Sequence, residues 1–224
     1  MGTVVHTKRI MIVAGEASGE MYGARLVEET RRIDPAISFI GMGGRRMREA
    51  GVHILVDASD MAVVGLVEVI AHFGVIRRAY TTLRNILRND PPQLLILIDY
   101  PDFNLLLARV AKKAGVKVLY YISPQVWAWR AGRVHKIAKL VDHMAVVFPF
   151  EVPFYEKAGV PVTFVGHPLV DMVKPSLSKT GACRSCGLDP DRPVAGLFPG
   201  SRRGEVSRLF PIILETAQIL HGRF

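Results

Sequence analysis

Apolar residues gather along this chain in short unbroken runs, and most runs stop at a glycine or an acid. "RIMIVA" (9–14), "ISFIGMGG" (37–44), "VHILVD" (52–57), "LLILID" (94–99), "KVLYYIS" (117–123), "HMAVVF" (143–148) and "VTFVG" (162–166) have strand length. Between them lie stretches of helical character: 15–33, 44–51, about 64–89, 103–115, 132–142 and 150–159. The strands read as continuous Val/Ile/Leu runs and not as apolar–polar alternation, which is the pattern of a parallel sheet covered on both faces. Repeated strand-then-helix order predicts a doubly wound α/β domain over 1–168.

From His167 to Pro193 the composition turns to Pro, Ser, Gly and Asp, so 169–193 reads as a linker. "VAGLFPG" (194–200) then predicts a new strand, and "SRRGEVSRLFPIILETAQIL" (201–220) a helix. One strand–helix unit cannot bury both faces of a sheet. The expectation is that 194–224 opens a second, incomplete Rossmann-like domain of a longer protein, or else docks on the first.

The bulk numbers narrow the chemistry. The chain has 224 residues, 50% hydrophobic and 22% charged, as a core-forming protein has. Its 29 Lys+Arg against 20 Asp+Glu leave a net charge of +9, which favours an anionic partner. No nucleic-acid motif accompanies the charge, and aromatic residues do not interleave with the basic ones, so nucleic acid is not expected. Cys183 and Cys186 form a lone CxxC with no second pair, which reads as two reduced thiols and not a zinc site; no metal is expected. The N-terminus has too short an apolar run for a signal peptide, and no run reaches the roughly 20 residues of a membrane span. Met61–Ile76 is different: its one formal charge is Glu68, and Arg77 and Arg78 follow at once. It reads either as a buried helix or as a segment lying in a membrane interface.

Ligands of open α/β sheets bind beyond the carboxyl ends of the strands, and four stretches occupy such places. In "GEASGE" (15–20), Gly15 and Gly19 allow a tight turn, Ser18 is a candidate helix cap, and the helix-start amides suit a phosphate or sugar hydroxyl. Glu16 and Glu20 would repel a dinucleotide. In "IDYPDFN" (98–104), Asp102 or Asn104 is expected to cap the next helix, while Asp99 ends a buried strand and is the candidate general base. "SPQVWAWR" (123–130) carries Gln125, Trp127, Trp129 and Arg130, suited to stacking on a sugar or gripping an anion. "FPGSRRGEV" (198–206) offers Gly200, Ser201 and Arg202 before a helix, a candidate diphosphate turn without the P-loop pattern.

Taken together and in this order, "VAGEASGE", "IDYPDFN", "YISPQVWAWR" and "FPGSRRGEV" resemble the lipid-A-disaccharide synthases, inverting glycosyltransferases of the GT-B fold. "FPFEVPFYEKAGVPVTFVGHPLVD" is similar to that family too, so the resemblance runs from about residue 9 to 220. It implies transfer of 2,3-diacylglucosamine from UDP-2,3-diacylglucosamine to 2,3-diacylglucosamine 1-phosphate, giving the β-1,6 disaccharide of lipid A and UDP. It implies no cofactor and no metal, with UDP-sugar as a substrate. It implies a peripheral protein on the cytoplasmic face of the inner membrane of Gram-negative bacteria, with Met61–Ile76 as the contact, and a homodimer in the full-length form. On this resemblance Asp99 matches the base that deprotonates the acceptor 6-hydroxyl, and Arg202 the arginine that holds the diphosphate. Gly15, Glu16 and Ser18 match the acceptor-side loop. Glu20 stands where Asp is more usual, and Arg203 makes the Arg202 turn more basic. Family members carry well over a hundred further residues completing the donor domain, so the 224-residue chain is expected to be inactive alone. Two other readings stay open: a different UDP-sugar enzyme of this fold (an epimerase or a soluble-acceptor glycosyltransferase), and a non-catalytic module binding anionic lipid.

Overall fold

The structure is a computed structural model that describes residues 8–61, 66–125, 131–200 and 203–222, with the side chains of 60–73 and 131 outside the description. Seven strands form one all-parallel sheet: β1 (Arg9–Ala14), β2 (Ser38–Gly43), β3 (Val52–Asp57), β4 (Leu94–Ile98), β5 (Lys117–Tyr121), β6 (His143–Val146) and β7 (Val162–Phe164). Their spatial order is β3-β2-β1-β4-β5-β6-β7. The order reverses between β1 and β4, so the chain leaves the sheet there in two directions and opens a crevice at the carboxyl ends. Ala14 pairs with Ile98 across that boundary, and the next residues on each strand are Gly15 and Asp99.

The apolar runs produce two cores because successive side chains on a strand point to opposite faces. Met11, Val13, Leu95 and Leu97 pack on one face, and Ile12, Ala14, Ile96 and Ile98 on the other. The first face is covered by α3 (Leu66–Asn89) and α4 (Pro101–Lys113), through residues such as Leu83, Leu87, Leu107 and Ala111. Further along, α5 (Val134–Leu140) and α6 (Glu151–Glu156) add Ile137 and Tyr155 to the same core. The second face is covered by α1 (Ala17–Ile33) and α2 (Arg45–Glu49), through Ala24, Val27 and Met47. This is the doubly wound architecture that the sequence predicts.

The chain divides into two compact units, Met1–Met172 and Val173–Phe224. The first ends in the short α7 (Leu169–Met172). The second holds α8 (Lys179–Ser185) and α9 (Arg203–His221). One expectation needs correction here, for residues 194–200. The polar linker contains a real helix: Ser178 caps α8 by accepting the Gly181 amide at 3.2 Å, and this helix carries a buried Cys183 beside an exposed Cys186. Residues 194–200 do not form a strand, because a strand exists through its ladder and none of the seven described strands pairs with them.

Candidate active site

The turn from β4 into α4 is strained. Asp99 and Tyr100 have φ of 45° and 46°, and with Ile122 they are the non-glycine residues with positive φ among the described residues. The left-handed region costs an L-residue about 1–2 kcal/mol, and a bulky side chain such as tyrosine is uncommon there. Such strain persists where the surroundings over-determine it, and here they do. The Asp99 carbonyl accepts from Asn104 Nδ2 at 2.6 Å and from the Tyr120 hydroxyl at 2.6 Å. Asn104 Nδ2 also reaches the Ile98 carbonyl at 3.1 Å. Asn104 is therefore the buried staple between strand end and helix, not an N-cap. Asp102 is not a cap either. It lies in the first turn of α4 and accepts from Arg133 at 2.6 Å, with a side chain 80% exposed.

Asp99 is half-buried, one residue beyond the end of β4. Its charge is felt nearby. Burial pushes the Tyr22 hydroxyl above its ordinary pKa, and the Asp99 charge adds to that push. Burial likewise drives Tyr120 well up, against a lowering hydrogen bond involving Asn104, with Asp99 raising it further. Both tyrosines thus stay protonated beside the carboxylate.

Gly15, directly across from Asp99, does not need glycine for its backbone angle. Its φ is not in the left-handed region; what it provides is room. A Cβ at Gly15 would lie 2.5 Å from Tyr100 Cδ1, so the Tyr100 ring occupies the space that the missing side chain leaves. That ring leans on Phe103, with centroids 5.6 Å apart. Glu16 is the N-cap residue of α1 but makes no side-chain cap bond, and Ser18 lies inside the helix with an exposed side chain, so the predicted Ser18 cap is corrected. Glu20 reaches over to α2 and accepts the Arg46 amide at 2.7 Å, capping that helix. Gly15, Glu16, Glu20, Arg45, Arg46 and Asp57 line a cleft of about 450 Å³ beside the crevice.

The neighbouring exit, after β5, holds a carboxylate that the sequence did not single out. Glu151 is 2% exposed. It accepts from the Ser123 hydroxyl and, through Oε2, from the Phe148 amide at 3.0 Å. Tyr155 lies beside it; burial, outweighing a bond involving Ser123, pushes its hydroxyl up to about 12, with the Glu151 charge contributing. His167 also closes on this edge: it packs edge-on to Tyr22 at 5.9 Å and against Phe148 at 5.7 Å, and its Nδ1 accepts the Leu169 amide.

Of the other predicted site residues, Gln125 is exposed in the loop after β5. Trp127, Arg130, Ser201 and Arg202 lie outside the described residues, as do the side chains of most of Met61–Ile76. Gly200 belongs to the second unit; its φ of 112° is a glycine conformation, and a Cβ there would lie 2.7 Å from a Glu205 carboxylate oxygen. The structure therefore brings Gly15 and Asp99 to adjacent strand ends with Glu16 next in the chain, leaves Ser18 and Gln125 exposed, and has Gly200 in the second unit. Among the described residues no helix is long and apolar enough to cross a membrane.

Comparisons with known proteins bear on the family of the chain. The family model described as lipid-A-disaccharide synthetase matches residues 10–224. A lipid-A-disaccharide synthase of Geobacter metallireducens is 69% identical over 224 residues, covering 100% of this chain and 58% of the relative. That of Geobacter sulfurreducens is 69% identical over 216 residues, covering 96% and 56%. One from Coxiella burnetii is 50% identical over 213 residues, covering 95% and 57%. The chain thus spans somewhat more than half the length of these curated relatives. Among solved structures, Acinetobacter baumannii MurG aligns at 12% identity with a TM-score of 0.46, over 72% of this chain and 46% of that one, too remote to bear on the site. With the family model matching residues 10–224 and a 69% identical relative covering the whole chain, the chain belongs to the lipid-A-disaccharide synthase family.

Proposed function

We propose that this chain carries the acceptor-side part of a lipid-A-disaccharide synthase of the GT-B fold. It would serve transfer of 2,3-diacylglucosamine from UDP-2,3-diacylglucosamine to the 6-hydroxyl of 2,3-diacylglucosamine 1-phosphate. The observation that carries the reading is the placement of Asp99. It leaves the middle strand of the sheet at the switch point, in a strained turn whose carbonyl is held by Asn104 and Tyr120.

In this mechanism the Asp99 carboxylate accepts the proton of the acceptor 6-hydroxyl as the oxygen attacks the anomeric carbon. The new C–O bond forms on one face while the bond to the UDP oxygen breaks on the other. UDP leaves with the electron pair, and the configuration inverts. Pinning the backbone on both sides of Asp99 limits where the carboxylate can swing, which is the positional control that general-base catalysis needs. Arg202, with Gly200 and Ser201, is assigned the diphosphate, where a guanidinium meets a phosphate in paired hydrogen bonds and offsets the departing charge without a metal ion. Gly15, Glu16 and Ser18 are assigned to the acceptor sugar, and Gln125, Trp127 and Arg130 to the sugar or phosphate edge. The assembled enzyme would be a homodimer bound peripherally to the inner face of the inner membrane through Met61–Ile76.

The test uses this chain joined to the remaining length of the Geobacter metallireducens relative. Asp99→Ala is expected to lower kcat by about 10³-fold, within the 10²–10⁴ range of a positioned base, at unchanged thermal stability. Arg202→Ala is expected to raise KM for UDP-sugar as well as lowering kcat, and chelators are expected to leave the rate unchanged. An Asp99→Ala enzyme that turns over at the parent rate would remove Asp99 from the mechanism.

A further inference from the structure

At the opposite end of the sheet from Asp99, the last turns of α3 and α4 enclose a cleft of about 400 Å³. Its lining includes Arg84, Arg88, Arg109, Lys113 and Tyr80, and contains no acidic residue. The same helix α3 carries Arg77 and Arg78, and the sequence from Val69 to Asn89 has no Asp or Glu. Several basic side chains elsewhere on this unit meet acids. Arg9 meets Asp90, Arg25 meets Glu28 and Glu29, Arg48 meets Asp57, and Lys112 and Lys117 share Asp142. Among the described residues the four cations of the cleft form no ion pair.

Helix dipoles explain part of this and not the rest. Arg88 and Lys113 stand in the last turns of α3 and α4, where a cation meets the exposed carbonyls favourably. That effect fades beyond the last turn, and Arg84 and Arg109 lie further in. Arg84 also has a buried Nε with no hydrogen-bond partner among the described residues, although buried polar groups are normally satisfied. Four like charges around one concavity repel one another, and an anion at its centre relieves that repulsion.

We propose that this cleft binds the phosphoryl group of an anionic membrane lipid. Charge complementarity selects the ligand: arginines present forked N–H donors matched to phosphate oxygens, and Lys113 adds a point charge. Tyr80, with an apolar body and a polar tip, suits the boundary between acyl chains and headgroups. The inference does not depend on glycosyl transfer or on Asp99. It is also distinct from insertion of Met61–Ile76, which would be driven by apolar burial and resist salt.

The experiment is sedimentation of the 224-residue chain with phosphatidylcholine vesicles, with and without phosphatidylglycerol. The partition read is the part that phosphatidylglycerol adds over salt-resistant binding through Met61–Ile76, and it is expected to weaken as salt rises. Arg88→Glu with Lys113→Glu, both exposed positions, is expected to lower the partition by at least about tenfold, since each basic residue near a membrane contributes several-fold. Arg25→Glu with Arg32→Glu on α1 makes the same change in net charge and is expected to leave the partition near that of the parent. The Asp99→Ala chain is expected to bind vesicles normally even though the enzyme assembled from it is inactive. Parent-level binding by the Arg88/Lys113 variant would overturn the proposal, as would equal losses in the two double variants. Displacement from vesicles by inorganic phosphate or by RNA at constant ionic strength would assign the cleft to that ligand and overturn the lipid.

Discussion

Two adjacent strand exits, after β4 and after β5, use the same materials to opposite ends. Each has a non-glycine residue in the left-handed region, Asp99 and Tyr100 at the first and Ile122 at the second. Each has a carboxylate and a buried tyrosine. At the β5 exit the Glu151 carboxylate is consumed: its oxygens accept from Ser123 and from the Phe148 amide, and water scarcely reaches it. At the β4 exit the hydrogen bonds fall on the Asp99 main-chain carbonyl, so the turn is held through the backbone. A carboxylate whose own oxygens hold the fold together is a structural one. A turn held through its main-chain carbonyl does not depend on its carboxylate for its shape. The contrast also explains why a strained turn survives at Asp99: Asn104 and Tyr120 meet a cost of about 1–2 kcal/mol per left-handed residue.

The sharpest way to break the comparison is to exchange readouts between the two acids. Asp99→Ala should remove activity by about 10³-fold in the assembled enzyme and leave the melting midpoint almost unmoved. Glu151→Ala should do the reverse in kind, lowering stability by about 3 kcal/mol by orphaning the buried Ser123 hydroxyl and leaving a void, as read by urea unfolding. If Glu151→Ala is stable and Asp99→Ala unfolds, the two roles are interchanged. Gly15→Ala comes next. Its Cβ must displace the Tyr100 ring, so about 2 kcal/mol of stability and part of the turnover should go together, and Tyr100→Ala should restore the stability of the Gly15→Ala chain. The smallest effect concerns Tyr155. Its folded pKa of about 12 lies above the ordinary value near 10, so its contribution is full below pH 10 and is lost as pH rises toward 12. Tyr155→Phe should flatten that alkaline decline by on the order of 1 kcal/mol in denaturant titrations.

The strands were legible in the sequence because burial on both faces demands unbroken apolar runs, and each such run in the first unit became a strand. The position of Asp99 was legible for the same reason: an acid ending such a run must stand where the sheet ends. Caps were not legible. Ser18 and Asp102 are good capping types, but the chain entered α1 at Glu16 and α4 at Tyr100, two residues early in each case. Glu151 stayed hidden because "FPFEVPFYEKAG" reads as an ordinary helix start, and its partner Ser123 lies 28 residues away in sequence. The vacancy at Gly15 was invisible as well, since only the fold places the Tyr100 ring against it. The segment 194–200 has strand composition, and composition cannot supply the neighbour that makes a strand.

The pairing of β1 with β4 sets a schedule for synthesis. Arg9 and its partners Gln93 and Asp90 are separated by 84 and 81 residues, and every ladder bond at the switch point spans a similar distance. At a ribosomal pace of about 5–20 residues per second, β1 waits on the order of 4–17 s before β4 emerges to cover its second edge. During that interval β1 and β2 can pair while Ile10–Ala14 still lack a neighbour on one side. A growing chain in that state exposes an apolar strand edge, the element most prone to join another chain. The same topology that opens the crevice for Asp99 thus delays closure of that edge until β4 has been made.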